Sequence, residues 1–367
     1  MKLLLIAPST RAMAESAKRA GYSFVSLDYF GDVDQKKICE NYSLNHEFKE
    51  EFTIENLFKH AKDLNFTHVV YGSGFENRPE LIEDFEKTSV VLGNDAKTLK
   101  KVRNWRYFFR KLENLGIAHP NTEIIKGEIK KEILEGKILK PINTGGGHGI
   151  FTRENFSDFV PSDEEYLLQD FIEGVSASSL VISNGDKVEF ICATEQILDN
   201  FRYCGTIIPL KTEKRILREI EETSIKICEE FNLLGCNGID FIIKEKPYVI
   251  EVNPRITGSV EVAERALKIN IFDLHVKACF GEKIKIKTRT PNNFYYKKIV
   301  FSKKDIKFNL KFENLPLFVK DIPHFGERIF KDKPICTIIG KGEKRDEVMR
   351  EMRERENNLI NLVNNLS

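Results

Sequence analysis

The sequence predicts an α/β fold that opens with a parallel sheet, followed by an α+β region and a β-rich C-terminal part. Apolar runs at residues 2–7 and 24–28 have the length of strands, and residues 11–20 between them have helical spacing. Strands that alternate with helices imply parallel pairing. A chain of 367 residues also exceeds what one hydrophobic core usually serves, which predicts two or three packed subdomains.

The alternation continues through the first hundred residues, with predicted helices at 54–64 and after Pro79 and predicted strands at 68–71 and 90–92. A dinucleotide-binding sheet needs a GxGxxG turn after its first strand. The sequence at that place is Ala7-Pro8-Ser9-Thr10-Arg11-Ala12. The dinucleotide-binding hypothesis therefore loses its main support.

The later part of the chain carries longer helical patterns and several strands. We predict one helix over residues 95–115 and another over 213–232. Residues 238–252 have the pattern of two strands joined by a short loop. Beyond residue 281, Lys alternates with apolar residues in several predicted strands, and a charged helix follows from Glu343.

Charge and cysteine usage exclude several classes of function. With 57 Lys and Arg against 56 Asp and Glu, the net charge of +1 gives no sign of a nucleic-acid or membrane partner. The apolar runs have strand length and the N-terminus lacks the apolar core of a signal peptide. The seven cysteines are scattered without a CxxC pair, which favours free thiols. We expect a cytoplasmic protein with small-molecule ligands.

A glycine-rich segment follows the predicted strand that contains Lys140 and Pro141. Four of the five residues from Gly145 to Gly149 are glycine. Such a loop is mobile and lets the backbone approach a ligand closely. By itself the stretch fits a plain hairpin turn equally well.

The two strands of residues 238–252 predict a metal site. If residues 244–247 form a four-residue loop, Ile243 faces Tyr248, and counting back along both strands sets Asp240 opposite Glu251. Asn253 lies two residues beyond Glu251 and shares its face. Two neighbouring carboxylates repel unless a cation such as Mg²⁺ lies between them. The alternative is a solvated hairpin face followed by an unrelated Asn-Pro turn.

In their order along the chain, these motifs resemble the ATP-grasp superfamily, over roughly residues 1–280. The resemblance implies that Lys140 contacts a nucleotide phosphate, that Gly145 to Gly149 form a flexible lid, and that Gln169 to Gly174 hold adenine. It implies Mg²⁺ or Mn²⁺ ligands at Asp240, Glu251 and Asn253. Arg255 matches the arginine that steadies the acyl phosphate and the developing oxyanion.

Within that superfamily the chain is similar to an archaeal and methylotroph group of ATP-dependent carboligases related to biotin carboxylase, which is associated with one-carbon coenzyme metabolism. The similarity lies in residues 11–17, 28–32, 72–77 and 201–205. The chain departs from the superfamily at Trp105, where many members carry a second nucleotide-binding lysine. Arg106 beside it is the predicted substitute.

The resemblance implies a division of the chain and a set of site residues. The expected parts are an N-terminal α/β domain (1–100), an ATP-grasp domain (101–280) with a lid subdomain at about 120–175, and a β-rich C-terminal extension with a final helix (281–367). The expected catalytic residues are Arg255 and Lys140. The expected ATP-binding residues are Lys140, Gly145, Gly146, Gly147, His148, Gly149, Gln169, Asp170, Phe171, Ile172, Ser176 and Arg106. The expected substrate-binding residues are Arg11, Glu76, Tyr203, Arg255, Gly258 and Ser259.

The function implied is that of an ATP-dependent ligase that joins a small carboxylate to an amine through an acyl phosphate and releases ADP and phosphate. ATP and Mg²⁺ or Mn²⁺ are the expected cofactors, and homodimer formation stays open. One alternative is a carboxylase that acts through carboxyphosphate, although the chain has no Met-Lys-Met biotin-attachment segment. The other is an ATP-binding protein without catalysis, which the departure at Trp105 motivates.

Overall fold

The computed structural model of the protein describes residues 1–160, 163–286 and 291–365. The N-terminal part is a five-stranded parallel sheet in the order β3-β2-β1-β4-β5. Its elements in chain order are β1 (Leu3–Ile6), α1 (Arg11–Arg19), β2 (Phe24–Asp28), α2 (Val33–Lys36), β3 (Asn41–Ser43), α3 (Ile54–Ala61), β4 (His68–Tyr71), α4 (Pro79–Glu86) and β5 (Val90–Val91). The predicted parallel opening is confirmed.

Two shorter helices replace the single helix predicted over residues 95–115. They are α5 (Ala96–Arg103) and α6 (Trp105–Asn114). The chain breaks at Asn104, whose side chain accepts a hydrogen bond from the Tyr107 amide at 3.1 Å and so caps α6. An Asn side chain at a helix start satisfies an amide that would otherwise lack a partner. Arg103 is thus the last residue of α5 and Trp105 the first of α6.

A small antiparallel sheet follows, in the order β6-β8-β7, with β6 (Thr122–Lys126), β7 (Lys137–Pro141) and β8 (Glu165–Asp170). Its apolar residues, among them Leu134, Leu139 and Leu168, form a core of their own. The glycine-rich segment begins just beyond the end of β7. This sheet lies within the region predicted as the lid.

The largest sheet has eight antiparallel strands in the order β13-β12-β9-β10-β11-β14-β18-β16. Its elements and the helices between them are β9 (Val175–Ser183), β10 (Val188–Asp199), β11 (Arg202–Ile208), α7 (Lys214–Glu230), β12 (Gly235–Ile243), β13 (Pro247–Asn253), α8 (Val260–Leu267), α9 (Ile271–Cys279), β14 (Phe294–Phe301), β15 (Ile306–Phe308), β16 (Val319–Lys320), β17 (Glu327–Ile329), β18 (Pro334–Gly342) and α10 (Arg345–Asn365). Strands β15 and β17 pair separately. The predicted C-terminal strands are present, and three of them continue the large sheet.

One hydrophobic core joins the parallel sheet to the large sheet. Leu3 and Leu5 of β1, Leu180 of β9 and Phe272 of α9 belong to the same buried cluster. Burying such side chains stabilises the fold by about 1.5–3 kcal/mol each. The ends of the two sheets are therefore held against each other, and the candidate site lies at that junction.

The cysteines are free thiols, as the sequence predicted. All seven cysteines lie in the described ranges as free thiols, five of them buried. Within those same ranges, no helix has both the length and the apolar character needed to cross a bilayer.

A buried histidine connects three elements of this core. The Nδ1 atom of His275 accepts a hydrogen bond from the Cys236 amide at 2.8 Å, and its Nε2 atom lies 3.0 Å from the Leu92 carbonyl oxygen. The ring is therefore neutral, with its proton on Nε2. Burial lowers the pKa of His275 to about 4, despite the opposing effect of the hydrogen bond to Leu92. A second proton on Nδ1 would be repelled by the Cys236 amide proton, and the hydrogen bond between them would be lost.

This arrangement predicts acid sensitivity with a definite range. The pKa of a histidine in an unfolded chain is about 6.5. Because the folded value is lower, the unfolded chain binds the proton first, and the free energy of unfolding falls as pH drops from about 6.5 to 4. The loss attributable to this residue reaches about 3 kcal/mol. Urea unfolding of the wild type and of His275→Gln at several pH values measures it, and equal pH dependence in both proteins would contradict the assignment.

Candidate active site

The hairpin of β12 and β13 brings the predicted metal ligands together. Asp240 pairs directly with Glu251, as predicted, but the predicted loop is wrong. Ile243 pairs with Pro247 rather than with Tyr248, so the loop is one residue shorter. A register shift between Asp240 and Phe241 restores the expected alignment. Because an extra residue on one strand forms a β-bulge, the two departures from the predicted register cancel at the carboxylates.

Asn253 joins the two carboxylates on one face. Its Nδ2 atom donates to Asp240 Oδ2 at 3.0 Å and lies 3.4 Å from Glu251 Oε1. Withdrawal from solvent and the Glu251 carboxylate raise the pKa of Asp240 to about 7, although hydrogen bonds from Ser178 and Gln196 act against the rise. A divalent cation between the two carboxylates would relieve their repulsion.

The donor set fits a hard cation. Two carboxylates and an amide oxygen are the ligand types that Mg²⁺ accepts, with water and phosphate oxygens in the remaining positions. Across the described ranges, no three or more His, Cys, Asp and Glu side chains are arranged to hold a metal ion. For Asn253 to supply the third protein ligand, its amide must turn, because its Nδ2 atom faces the carboxylates and its Oδ1 atom accepts from Arg255.

Arg255 lies immediately beyond these ligands and joins them to the N-terminal sheet. Its Nη2 atom donates to Asn253 Oδ1 at 3.0 Å, and its Nε atom donates to Glu76 Oε1 at 2.7 Å. Glu76 follows β4 and is 2% exposed. Burial acts to raise the pKa of Glu76, but the guanidinium groups of Arg255 and Arg103 hold it below its usual value. Glu76 is therefore an anion, and its buried Oε2 atom has no hydrogen-bond partner among the described residues.

Lys140 lies at the end of β7 and faces the same cluster. Withdrawal from solvent lowers the pKa of Lys140, while the carboxylates of Glu251 and Asp240 act to raise it. The Arg103 guanidinium also acts to lower it, so Lys140 responds to the charges of both β12–β13 carboxylates and of Arg103. The structure thus brings together Lys140 of the small sheet with Asp240, Glu251 and Arg255 of the large one.

The glycine-rich loop rests on the turn between β10 and β11. The Tyr203 amide donates to the Gly146 carbonyl oxygen at 3.1 Å. Gly147 has a φ of +76°, and a Cβ atom there would lie 1.8 Å from the Phe201 carbonyl oxygen. Withdrawal from solvent and the positive charges of Arg202 and Lys333 lower the pKa of His148, although the residue as a whole is exposed. The loop therefore reaches across from the small sheet to the large sheet.

The segment predicted to hold adenine connects the two sheets. Strand β8 ends at Asp170, so the last four residues of the predicted adenine-binding segment, 171–174, lie beyond it. Gln169 is buried and donates to Thr122 Oγ1 at 2.9 Å, while Phe171 is half exposed. Ile172 continues the connection and is partly buried. Ser176 on β9 donates to Gln196 Oε1 at 2.6 Å, and Gln196 in turn reaches Asp240.

Tyr203 and the residues after Arg255 form a further wall. The Tyr203 hydroxyl is buried and has no hydrogen-bond partner among the described residues. It would lie 3.8 Å from a Cβ atom on Gly258. Ser259 is buried, and its hydroxyl lies 2.8 Å from that of Thr257. Gly258 therefore approaches the Tyr203 hydroxyl closely, and that hydroxyl keeps an unused hydrogen-bonding capacity.

Two predicted site residues lie elsewhere. Arg106 is exposed on α6. Arg11 is completely buried and is held by Glu261 at 2.7 and 2.8 Å and by Asp321 at 2.8 Å. Burial acts to lower the pKa of Arg11, yet these carboxylates raise it well above its usual value. Its hydrogen bonds join α1 to α8 and to the segment after β16 instead of reaching the cluster around Arg255.

Arg103 is the site residue that the sequence did not reveal. Its Nη1 atom donates to the Val252 carbonyl oxygen at 3.0 Å, and its Nη2 atom lies 3.7 Å from Glu76 Oε1. In a continuous helix this residue would be one of several surface cations. The sequence feature that could have indicated it is Asn104, a helix-capping residue inside the predicted helix.

The sequence pattern of the family described as ATP-grasp domain matches residues 102–259. The chain carries an ATP-grasp domain. Every residue of the cluster except Glu76 lies within that match. The predicted resemblance is therefore confirmed for this part of the chain.

Relatives extend the similarity beyond the ATP-grasp domain. The uncharacterized protein MJ0776 of Methanocaldococcus jannaschii is 29% identical over 357 residues, which cover 93% of this chain and 88% of that protein. The carbamoyl phosphate synthase large chain of Pyrococcus furiosus is 27% identical over 256 residues, or 65% of this chain. The match spans only 24% of that synthase.

Solved structures share the fold. Biotin carboxylase from Campylobacter jejuni has a TM-score of 0.75 at 15% identity and covers 95% of this chain and 89% of its own. Carboxyaminoimidazole ribonucleotide synthase from Aspergillus clavatus, complexed with ATP, has a TM-score of 0.74 at 14% identity and covers 100% of this chain and 99% of its own. Both likenesses confirm the predicted ATP-grasp fold.

The contact of the glycine-rich loop yields a prediction. Gly147→Ala places a methyl group against the Phe201 carbonyl and imposes a left-handed φ on an L residue, so the loop should leave the β10–β11 turn. We expect cleavage of the loop by a nonspecific protease to be on the order of fivefold faster, which corresponds to about 1 kcal/mol. Gly145→Ala is the matched control, because a Cβ atom there meets nothing within 4 Å. Equal cleavage of the two variants would show that the contact does not hold the loop.

Proposed function

We propose that this protein is an ATP-dependent ligase that joins a small carboxylate to an amine through an acyl phosphate, with release of ADP and phosphate. The observation that supports it is the convergence of Asp240, Glu251 and Asn253 with Lys140 and Arg255. Paired oxygen ligands beside two cations suit the transfer of a phosphoryl group. The sequence relationship to the carbamoyl phosphate synthase large chain supports the same class of chemistry.

The nucleotide would lie between the small and large sheets. Gln169, Asp170, Phe171 and Ile172 line the connection between them, and Ser176 leads from that connection toward Asp240. The glycine-rich loop with His148 would cover the phosphates with backbone amides and exclude water. Mg²⁺ or Mn²⁺ on Asp240, Glu251 and Asn253 would offset the charge of the phosphates when bound.

The reaction follows from the placement of the cations. A carboxylate oxygen of the substrate attacks the γ-phosphorus, and the bond from that phosphorus to the bridging oxygen of ADP breaks. Lys140 and Arg255 stabilise the charge on the transferring group. The amine nitrogen then attacks the acyl carbon, phosphate leaves, and the nitrogen releases a proton. Glu76 and Arg255 hold each other in place, so Arg255 keeps a fixed orientation through both steps.

The substrates would bind beside Arg255. Glu76 Oε2 and the Tyr203 hydroxyl are buried polar atoms whose hydrogen-bonding capacity a substrate can satisfy. Gly258 approaches the Tyr203 hydroxyl, and Ser259 follows it in the chain. The carboxylate oxygens of one substrate suit Arg255, and an amine N–H of the other suits Glu76. Cytoplasmic location, homodimer formation and a role in coenzyme biosynthesis stay predictions.

Glu251 provides the first test of this proposal. Glu251→Gln keeps the size of the side chain and removes the charge that would bind the metal, so turnover should fall by about a hundredfold or more. Glu245→Gln is the control, because Glu245 is exposed at the loop of the same hairpin. ADP release with a screen of small carboxylates and amines measures both variants. Near-normal turnover of Glu251→Gln would contradict the assignment.

An isotope experiment tests the acyl phosphate. When the substrate carboxylate carries heavy oxygen, one labelled atom should appear in inorganic phosphate, because the attacking oxygen stays on phosphorus when the amine displaces it. Mass spectrometry of the phosphate measures the transfer. Label in AMP, together with pyrophosphate, would show adenylation instead, and nucleotide binding without ADP release would favour a protein without catalysis.

Carboxyphosphate chemistry is the alternative within the same fold. Bicarbonate would then replace the organic acid as the attacking carboxylate. The relationship to the carbamoyl phosphate synthase large chain favours keeping this candidate. Bicarbonate-dependent ADP release without any organic acid would identify it.

A further inference from the structure

The link between α5 and α6 connects the two strands that carry the candidate phosphate and metal residues. The indole N–H of Trp105 donates to the Ile142 carbonyl oxygen at 3.2 Å, two residues beyond Lys140. Arg103 donates to the Val252 carbonyl oxygen, which lies between Glu251 and Asn253 in the chain. Trp105 is 7% exposed and packs with Phe108 and Phe109. The link is therefore anchored at the ends of β7 and β13.

The Arg103 guanidinium has hydrogen-bonding capacity that the described residues do not satisfy. Its Nε atom is buried and has no hydrogen-bond partner among them. Its Glu76 contact is long, at 3.7 Å, because Arg255 already binds the same Oε1 atom at 2.7 Å. Buried polar groups almost always have a partner, and a charged donor without one is costly. An anionic acceptor beside Glu251 and Lys140 would satisfy it.

Charge in the cluster favours a phosphate as that acceptor. Arg103 and Arg255 lie 3.7 and 2.7 Å from Glu76 Oε1, and the charges of Asp240 and Glu251 act on the pKa of Lys140. Removal of Arg103 would take one positive charge away from the place where a triphosphate has to bind. Arg106 offers no such compensation, because it is exposed on the other side of the helix break.

We propose that Arg103 is the residue that binds the nucleotide phosphates in place of the lysine that Trp105 replaces. The inference rests on the proposed function for the position of the nucleotide. A guanidinium suits this task because its planar N–H groups bind phosphate oxygens in pairs. The Nη1 and Nη2 atoms of Arg103 face Val252 and Glu76, and the buried Nε atom is the donor whose hydrogen bond a phosphate would complete.

Binding of a nucleotide series to the full chain tests the proposal. The probes are adenosine, AMP and ADP with Mg²⁺, titrated by calorimetry and by the emission of Trp105, the single Trp of the chain, whose ring centroid lies 5.7 Å from the Arg103 guanidinium. For Arg103→Gln we expect unchanged affinity for adenosine. We expect a loss of about tenfold or more for each nucleotide that carries the contacted phosphate, as for a lost charged hydrogen bond.

Two further variants complete the experiment. Arg106→Gln, three residues along, should bind every probe as the wild type does. Arg103→Lys keeps the charge without the Nε donor, so its affinity for ADP should lie between those of the wild type and Arg103→Gln. If Arg103→Gln does not fold, the comparison of Arg103→Lys with the wild type tests the proposal. Equal losses for adenosine and ADP would show a purely structural role. Unchanged ADP binding would also overturn the proposal, as would a loss confined to Arg106→Gln.

The binding assay separates this inference from the proposed function. It needs no turnover, so a wild type that binds ADP but never releases it from ATP with any carboxylate would refute the ligase and leave the role of Arg103 standing. If the wild type releases ADP normally while Arg103→Gln keeps normal ADP affinity, the role of Arg103 is refuted and the ligase proposal stands.

Discussion

The buried ion pair between Arg255 and Glu76 holds the candidate site together. It joins the turn after β4 of the parallel sheet to the end of β13 in the large sheet, with Nε and Oε1 2.7 Å apart. Asn94 supports the same junction by donating to the Pro254 carbonyl oxygen at 2.9 Å. Removing one partner of a buried pair leaves an uncompensated charge and costs about 3–5 kcal/mol. The orientation of Arg255 toward the metal ligands therefore depends on a residue far away in the chain.

Near this ion pair, two carboxylates lie on neighbouring strands. Asp240 and Glu251 oppose each other across the hairpin, and the Asn253 amide donates to both. Such an arrangement stores electrostatic repulsion that a cation can release. Lys140 belongs to a different sheet. The glycine-rich loop that follows it contacts the β10–β11 turn, which its glycines permit. The candidate site is thus assembled from three parts of the chain that meet only after folding.

Agreement between sequence and structure was closest where local patterns decide the outcome. The strands at His68–Tyr71 and Phe24–Asp28 have the predicted bounds, because short runs of buried β-branched and apolar residues specify them. The pairing of Asp240 with Glu251 was also predicted, although the loop is one residue shorter than predicted and a β-bulge compensates for that difference. Loop length and bulge position depend on packing against β9, which pairs with β12 on its other side and which no local pattern reports.

The sequence alone predicted the parallel opening and the pairing of Asp240 with Glu251, because spacing and residue type are local properties, and its resemblance to a known family predicted the ATP-grasp domain. The tertiary structure decided that Arg103 donates to the Val252 carbonyl oxygen, next to Glu251 in the chain. Capping by Asn104 turns Arg103 inward and leaves Arg106 exposed, and carboxylates from α8 and the C-terminal segment bind Arg11. These outcomes depend on burial and on charges contributed by distant elements, and both exist only in the folded chain.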